Sequence, residues 1–69
     1  MRKSLKVISA YNDMRIDRYL RKNLGNLPQS FIEKNLRNGK IKINKKKVKS
    51  FYKVKTSDRI DFFNFKFKN

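Results

Sequence analysis

The chain has 69 residues, 20 of them Lys or Arg against 5 Asp or Glu, for a formal net charge of +15. Its length fits one small domain with a thin core, and a sequence without cysteine or histidine offers no disulfide framework, no thiolate metal site and no imidazole base. No apolar run approaches the roughly 20 residues that cross a bilayer, and no apolar stretch of signal-peptide length follows Met1-Arg-Lys, so a cytoplasmic protein is the simplest inference.

In chain order, Leu5, Val7 and Ala10 fall among polar residues in a way that permits a short edge strand. Asn12 and Asp13 are each suited to cap a helix. From Met14 to Leu24, Ile16, Tyr19, Leu20 and Leu24 form a helical stripe, and Asp17 with Arg21 makes an acid-first i, i+4 pair. Gly25 closes this helix, and Asn26-Leu27-Pro28 is too short a connector to hold the next helix away from it. That second helix has a capping-box pattern at Ser30 and Glu33, while Pro28 allows a start one or two residues earlier. Ile32 and Leu36 share its inner face, and Gly39 suits the left-handed residue that ends many helices.

Ile41 and Ile43 alternate with Lys40 and Lys42, the period of a half-buried strand, and Asn44 to Lys47 reads as a tight turn leading to a further strand. Ser50 to Lys53 is a loop, with Phe51 and Tyr52 turned back onto the core. Val54-Lys55 begins a short strand, Thr56-Ser57-Asp58 is turn chemistry, and Arg59 to Phe62 is a last strand with Ile60 and Phe62 inward. At Phe62-Phe63 the alternation slips, and Phe63, Phe65 and Phe67 form a second register. One flat strand cannot serve both registers, so a bulge or a departure from the domain is expected there. Exposed phenylalanines at a chain end suggest missing partner surface, and the chain is read as a fragment of a larger protein.

The charge is unevenly placed. Positions 34 to 55 hold ten Lys or Arg and no acid. Like charges crowded together oppose compaction, so such a patch implies a polyanionic partner. A Lys- and Asn-rich genome composition explains lysine over arginine but not the exclusion of acids. Catalysis within this chain has little support: no paired carboxylates at a convincing spacing, no His or Cys, no glycine-rich phosphate loop. A membrane-active cationic peptide is a rival class, since basic amphipathic helices bind anionic lipid. Here, however, the basic residues gather on a helix, strand and turn instead of one long helix.

Arg15-Ile16-Asp17 with Tyr19-Leu20, Pro28-Gln29-Ser30, Leu36, Gly39-Lys-Ile-Lys-Ile-Asn44 and Ser57-Asp58-Arg-Ile60 resemble the RNA-binding domain first described in small-subunit ribosomal protein S-four. Within that family the chain looks most like the N-terminal module of large-subunit ribosomal RNA pseudouridine synthases. The resemblance implies an α+β fold, two packed helices followed by a short antiparallel sheet. Residues 14-62 would form the RNA-binding domain, 1-13 an N-terminal tail with the edge strand, and 63-69 a linker stub toward a catalytic domain.

It further implies a partner of structured RNA, ribosomal RNA foremost, and no cofactor; no metal is expected of a chain without Cys or His, and as a fragment the chain is expected to be monomeric. A stand-alone ribosome- or tRNA-associated RNA-binding protein is the alternative. Carried onto this sequence, the RNA surface falls at Gln29, Ser30, Lys34, Arg37, Lys40, Lys42, Asn44, Lys45, Lys46 and Lys47, to which the acid-free segment adds Lys49. Asn44 is expected to serve the turn and Ser30 the helix cap as well. Three positions depart from the family pattern: Gln29 where Arg or Lys is frequent, Asn35 where an apolar residue is usual, and Lys45 in place of a glycine. A left-handed Lys45 costs roughly 1–2 kcal/mol, which leaves the turn type open. With lysine outnumbering arginine in this segment, phosphate contacts with modest sequence discrimination are expected.

Overall fold

The computed structural model describes residues 3–63. Strand β1 is Lys3–Lys6, followed by a 3-10 turn at Ser9–Tyr11, helix α1 at Ile16–Leu24, helix α2 at Gln29–Arg37, strand β2 at Ile41–Ile43 and strand β3 at Arg59–Phe62. The sheet is antiparallel in the order β1-β3-β2, so the last strand is central. In register, Leu5 faces Ile60 and Ile60 faces Ile43, with Phe62 opposite Ile41. This row meets the buried stripes Ile16, Tyr19 and Leu20 of α1 and Ile32 and Leu36 of α2, joined by Val7, Leu27 and Val54. Two helices on one face of a three-stranded sheet is the expected α+β architecture.

Several local expectations give way to other contacts. The first helix starts at Ile16, not Met14, with Arg15 in the capping position. Asn12 and Asp13 are used across the chain instead: Asn12 Oδ1 accepts from the Thr56 N–H at 2.9 Å, and Asp13 pairs with Lys55. Asp17 does not pair with Arg21. It is buried, and its carboxylate takes Arg15 Nη2 at 3.0 Å and Gln29 Nε2 at 3.2 Å.

The capping box is not formed. The Ile32 N–H already bonds the Pro28 carbonyl at 3.1 Å, so the helix begins at Gln29 and Ser30 is its second residue, too far in to cap. Val54-Lys55 does not start a strand. The segment lies beside the entry to α1, with Val54 N–H to Met14 O at 2.8 Å and Ile16 N–H to Tyr52 O at 2.7 Å. From the lysine turn to the start of β3 the chain makes two isolated bridges, Lys46 to Ile43 and Lys53 to Arg15, and no further strand. Tyr52 is half-buried against the core, but Phe51 is 63% exposed. β3 ends at Phe62, and the Phe63 N–H turns to the Lys40 carbonyl at 2.7 Å. The second register at Phe65 and Phe67 lies outside the described residues.

Candidate nucleic-acid interface

The end of α2 and the turn after β2 are built by two left-handed devices. At the first, Gly39 has φ +76°, its N–H reaches Leu36 O at 3.3 Å, and the Lys40 N–H reaches Asn35 O at 3.0 Å. These are the two bonds of a Schellman stop. A Cβ at Gly39 would lie 3.1 Å from Lys47 Cε and 3.2 Å from Lys42 Cε. Two lysine stems therefore close over the helix end, where orphan carbonyls favour cations. Asn35, set where an apolar residue is usual, is accommodated within the helix: its Nδ2 donates to Phe31 O at 2.8 Å.

At the second device, Ile43 and Lys46 exchange both backbone hydrogen bonds at 2.9 Å around Asn44 and Lys45, whose φ values are +50° and +67°. Two positive central φ angles define a type I′ hairpin, the turn whose twist suits paired strands. Lys45 accepts the left-handed cost because Asn44 is pinned. Asn44 Nδ2 donates to Asp58 Oδ1 at 2.9 Å, and its Oδ1 accepts the Arg59 N–H at 3.0 Å. Asp58 in turn accepts Tyr52 Oη–H at 2.6 Å and the Lys55 N–H at 2.9 Å. Burial pushes the Asp58 carboxyl up, but these donors outweigh it and hold it below the usual carboxylate range. The same hydrogen bond to Asp58 pushes the Tyr52 phenol up to about 12.

On this frame Lys34, Arg37, Lys40, Lys45, Lys46, Lys47 and Lys49 are exposed. Lys42 is half-buried on the outer sheet face, opposite Asp61 in register and 5.6 Å from the Phe63 ring centroid. Arg37, Lys47 and Lys49 come together along a cleft of about 470 Å³ that is also lined by Glu33, Leu36, Val48, Ser50 and Phe51. Two candidate residues belong elsewhere. Gln29, at the opposite end of α2, accepts from Arg21 and donates to Asp17 and to Glu33 Oε2 at 2.9 Å. Ser30 is exposed beside it, away from the hairpin.

The five acids explain why the surface is so basic. Asp17, Asp58 and Asp61 are buried. Asp61 takes Arg59 Nε at 2.9 Å, and burial pushes the Asp17 carboxyl up while Gln29, Arg15 and the Arg18 N–H bring it net below the ordinary range. Asp13 faces Lys55, whose hydrogen bond lowers its pKa, and Glu33 also accepts from Ser50 Oγ at 3.4 Å. Most negative charge is thus spent inside the fold, and the outward field is left to lysine and arginine.

Sequence reasoning passed over Asp58 as the anchor of the hairpin and Phe51 as a cleft residue. An acid just ahead of a strand and an aromatic beside a lysine run were the available signals. Among the described residues, no group of three or more His, Cys, Asp or Glu could hold a metal ion, and no helix is long and apolar enough to cross a membrane.

Two short helices packed on a small antiparallel sheet, with an acid-free hairpin at one end, define a small α+β module. The S4 domain family matches residues 14–60, and the chain belongs to it. The chain is 45% identical over 60 residues to ribosomal large subunit pseudouridine synthase C of Buchnera aphidicola subsp. Schizaphis graminum, covering 83% of this chain and 19% of that protein. The Vibrio cholerae protein of that name is 46% identical over 44 residues, 64% of this chain and 14% of that protein. The Escherichia coli one is 37% identical over 60 residues, again 83% and 19%. The chain thus spans less than a fifth of the length of these relatives. No solved structure matches it significantly.

Proposed function

We propose that the chain grips folded ribosomal RNA through the Lys and Arg side chains of the second half of α2 and the type I′ hairpin, as the RNA-anchoring module of a pseudouridine synthase acting in the cytoplasm. The observation that carries this reading is the separation of charge: ten cations and no acid from 34 to 55, with three of the five acids buried. The relatives' names supply the ribosomal target and the parent enzyme. A-form RNA presents a shallow minor groove lined by hydroxyls and phosphates, so shape and backbone charge are what such a surface reads. In this reading the module supplies grip, and isomerisation of uridine belongs to another part of the parent protein. A stand-alone ribosome-associated binder uses the same surface and differs only in what it is joined to.

The test reverses Lys45, Lys46 and Lys47 together to Glu. All three are exposed, so the variant should still melt in one cooperative transition by circular dichroism, shifted slightly by the loss of Lys47 from the helix end, while binding to ribosomal RNA fragments is lost. Retained binding with a cooperative melt moves the site off the hairpin.

A further inference from the structure

The cleft beside α2 asks for more than a phosphate. At about 470 Å³ it falls in the size range of small-ligand sites. Leu36, 1% exposed, lies at its base, and Phe51, 63% exposed, stands at its rim. The cations Arg37, Lys47 and Lys49 share the lining with one acid, Glu33, which holds Gln29 and Ser50. A duplex backbone would satisfy the three cations and leave the aromatic face unused. An apolar peptide would cover Phe51 and leave three cations without counter-charge. A nucleotide out of its stack meets both demands, because every base has a π-face and carries phosphates on either side. Glu33 sets the orientation, since its charge repels phosphate.

Resting on the RNA-binding reading above, we propose that this cleft takes one unpaired nucleotide of the bound RNA, its base stacked on Phe51 and its flanking phosphates held by Arg37, Lys47 and Lys49. The module then distinguishes a helix carrying a bulged or looped nucleotide from a continuous one, without reading the base identity.

Two RNA hairpins of the same stem test this with the 69-residue chain, one fully paired and one with 2-aminopurine as a single-nucleotide bulge. The bulged hairpin should bind about tenfold more tightly and its fluorescence should be quenched on binding. Phe51→Ala should remove the quench and bring the bulged hairpin to the affinity of the paired one, leaving paired binding unchanged. Phe51→Trp should restore both preference and quench. Equal affinities without quench, or a Phe51→Ala loss shared by both hairpins, overturn the stacking site while RNA binding itself stands; the cleft is then free for a protein segment. Failure of the unaltered chain to bind either hairpin overturns both readings.

Discussion

Asn44 donates from Nδ2 to Asp58 Oδ1 over 2.9 Å, and this contact ties the lysine hairpin to the turn that starts the central strand. The two residues are 14 positions apart in the chain, so the bond fixes a loop as well as a turn. Asn44→Ala removes the donor, leaves a buried carboxylate short of a partner and puts a Cβ-only residue at φ +50°. The expected loss is about 1–3 kcal/mol. Denaturant unfolding measures it; an unchanged midpoint would show that the hairpin holds its shape without Asp58.

Lys45→Gly separates charge from conformation at the next residue. Lys45 sits at φ +67°, a strain of about 1–2 kcal/mol that glycine does not feel. Glycine costs part of that gain through the freedom it adds to the unfolded chain, so a net stabilisation of about 0.5–1 kcal/mol is expected. If Lys45 also touches a phosphate, the same variant binds RNA more weakly and its log-affinity falls with log-salt by about one unit less in slope. A variant that is more stable yet holds RNA with an unchanged salt slope assigns Lys45 to the turn alone.

What the sequence revealed and what it hid divide along the range of the interactions. The stripes Ile16/Tyr19/Leu20 and Ile32/Leu36, the stops at Gly25 and Gly39, and the alternation Ile41-Lys42-Ile43 depend on near neighbours, and each is where it was expected. The type I′ turn was not decidable locally, because lysine is a poor left-handed residue and its partner in the decision, Asp58, is remote. The capping box failed for a similar reason: Pro28 already supplies the first helical acceptor, which moves Ser30 two positions in from the cap. Val54-Lys55 read as the start of a short strand, and Val54 is indeed fully buried, but its backbone pairs with Met14, forty positions earlier. For the interface, the acid-free run was visible in one dimension. That Gln29 would be drawn into a network with Asp17, Arg21 and Glu33, far from the hairpin, required the packing of α1 on α2.

Leu36 tests whether α2 is docked by its apolar stripe. It is 1% exposed and sits one turn from the Schellman stop that positions Lys42 and Lys47. Leu36→Ala should cost about 2–5 kcal/mol, the range for a buried leucine that leaves a partly collapsed cavity. Because the cations ride on this helix end, RNA affinity should fall at temperatures where the variant is partly unfolded and recover on cooling. A urea midpoint equal to that of the unaltered chain would show that the helix is held by something other than this stripe.

The Tyr52–Asp58 pair makes stability depend on pH at both extremes. Tyr52 is raised from the ordinary phenol value of 10.0 to about 12, foremost by its hydrogen bond to Asp58 and then by burial. A raised pKa means that the folded state holds its proton more tightly than the unfolded one. Its contribution is therefore fully present below pH 10 and is lost as pH climbs toward 12. Asp58 is lowered: burial raises it, but Tyr52, the Lys55 N–H and Asn44 more than offset that, so its contribution is present above 3.8 and is lost as pH falls through the folded value. Tyr52→Phe removes the donor from both equilibria. In a tyrosinate absorbance titration the component near pH 12 should disappear, and in acid unfolding the midpoint should move to higher pH as Asp58 loses its 2.6 Å hydroxyl donor. Loss of a component near the ordinary value of 10.0 instead would mean that Tyr52 ionises independently of Asp58.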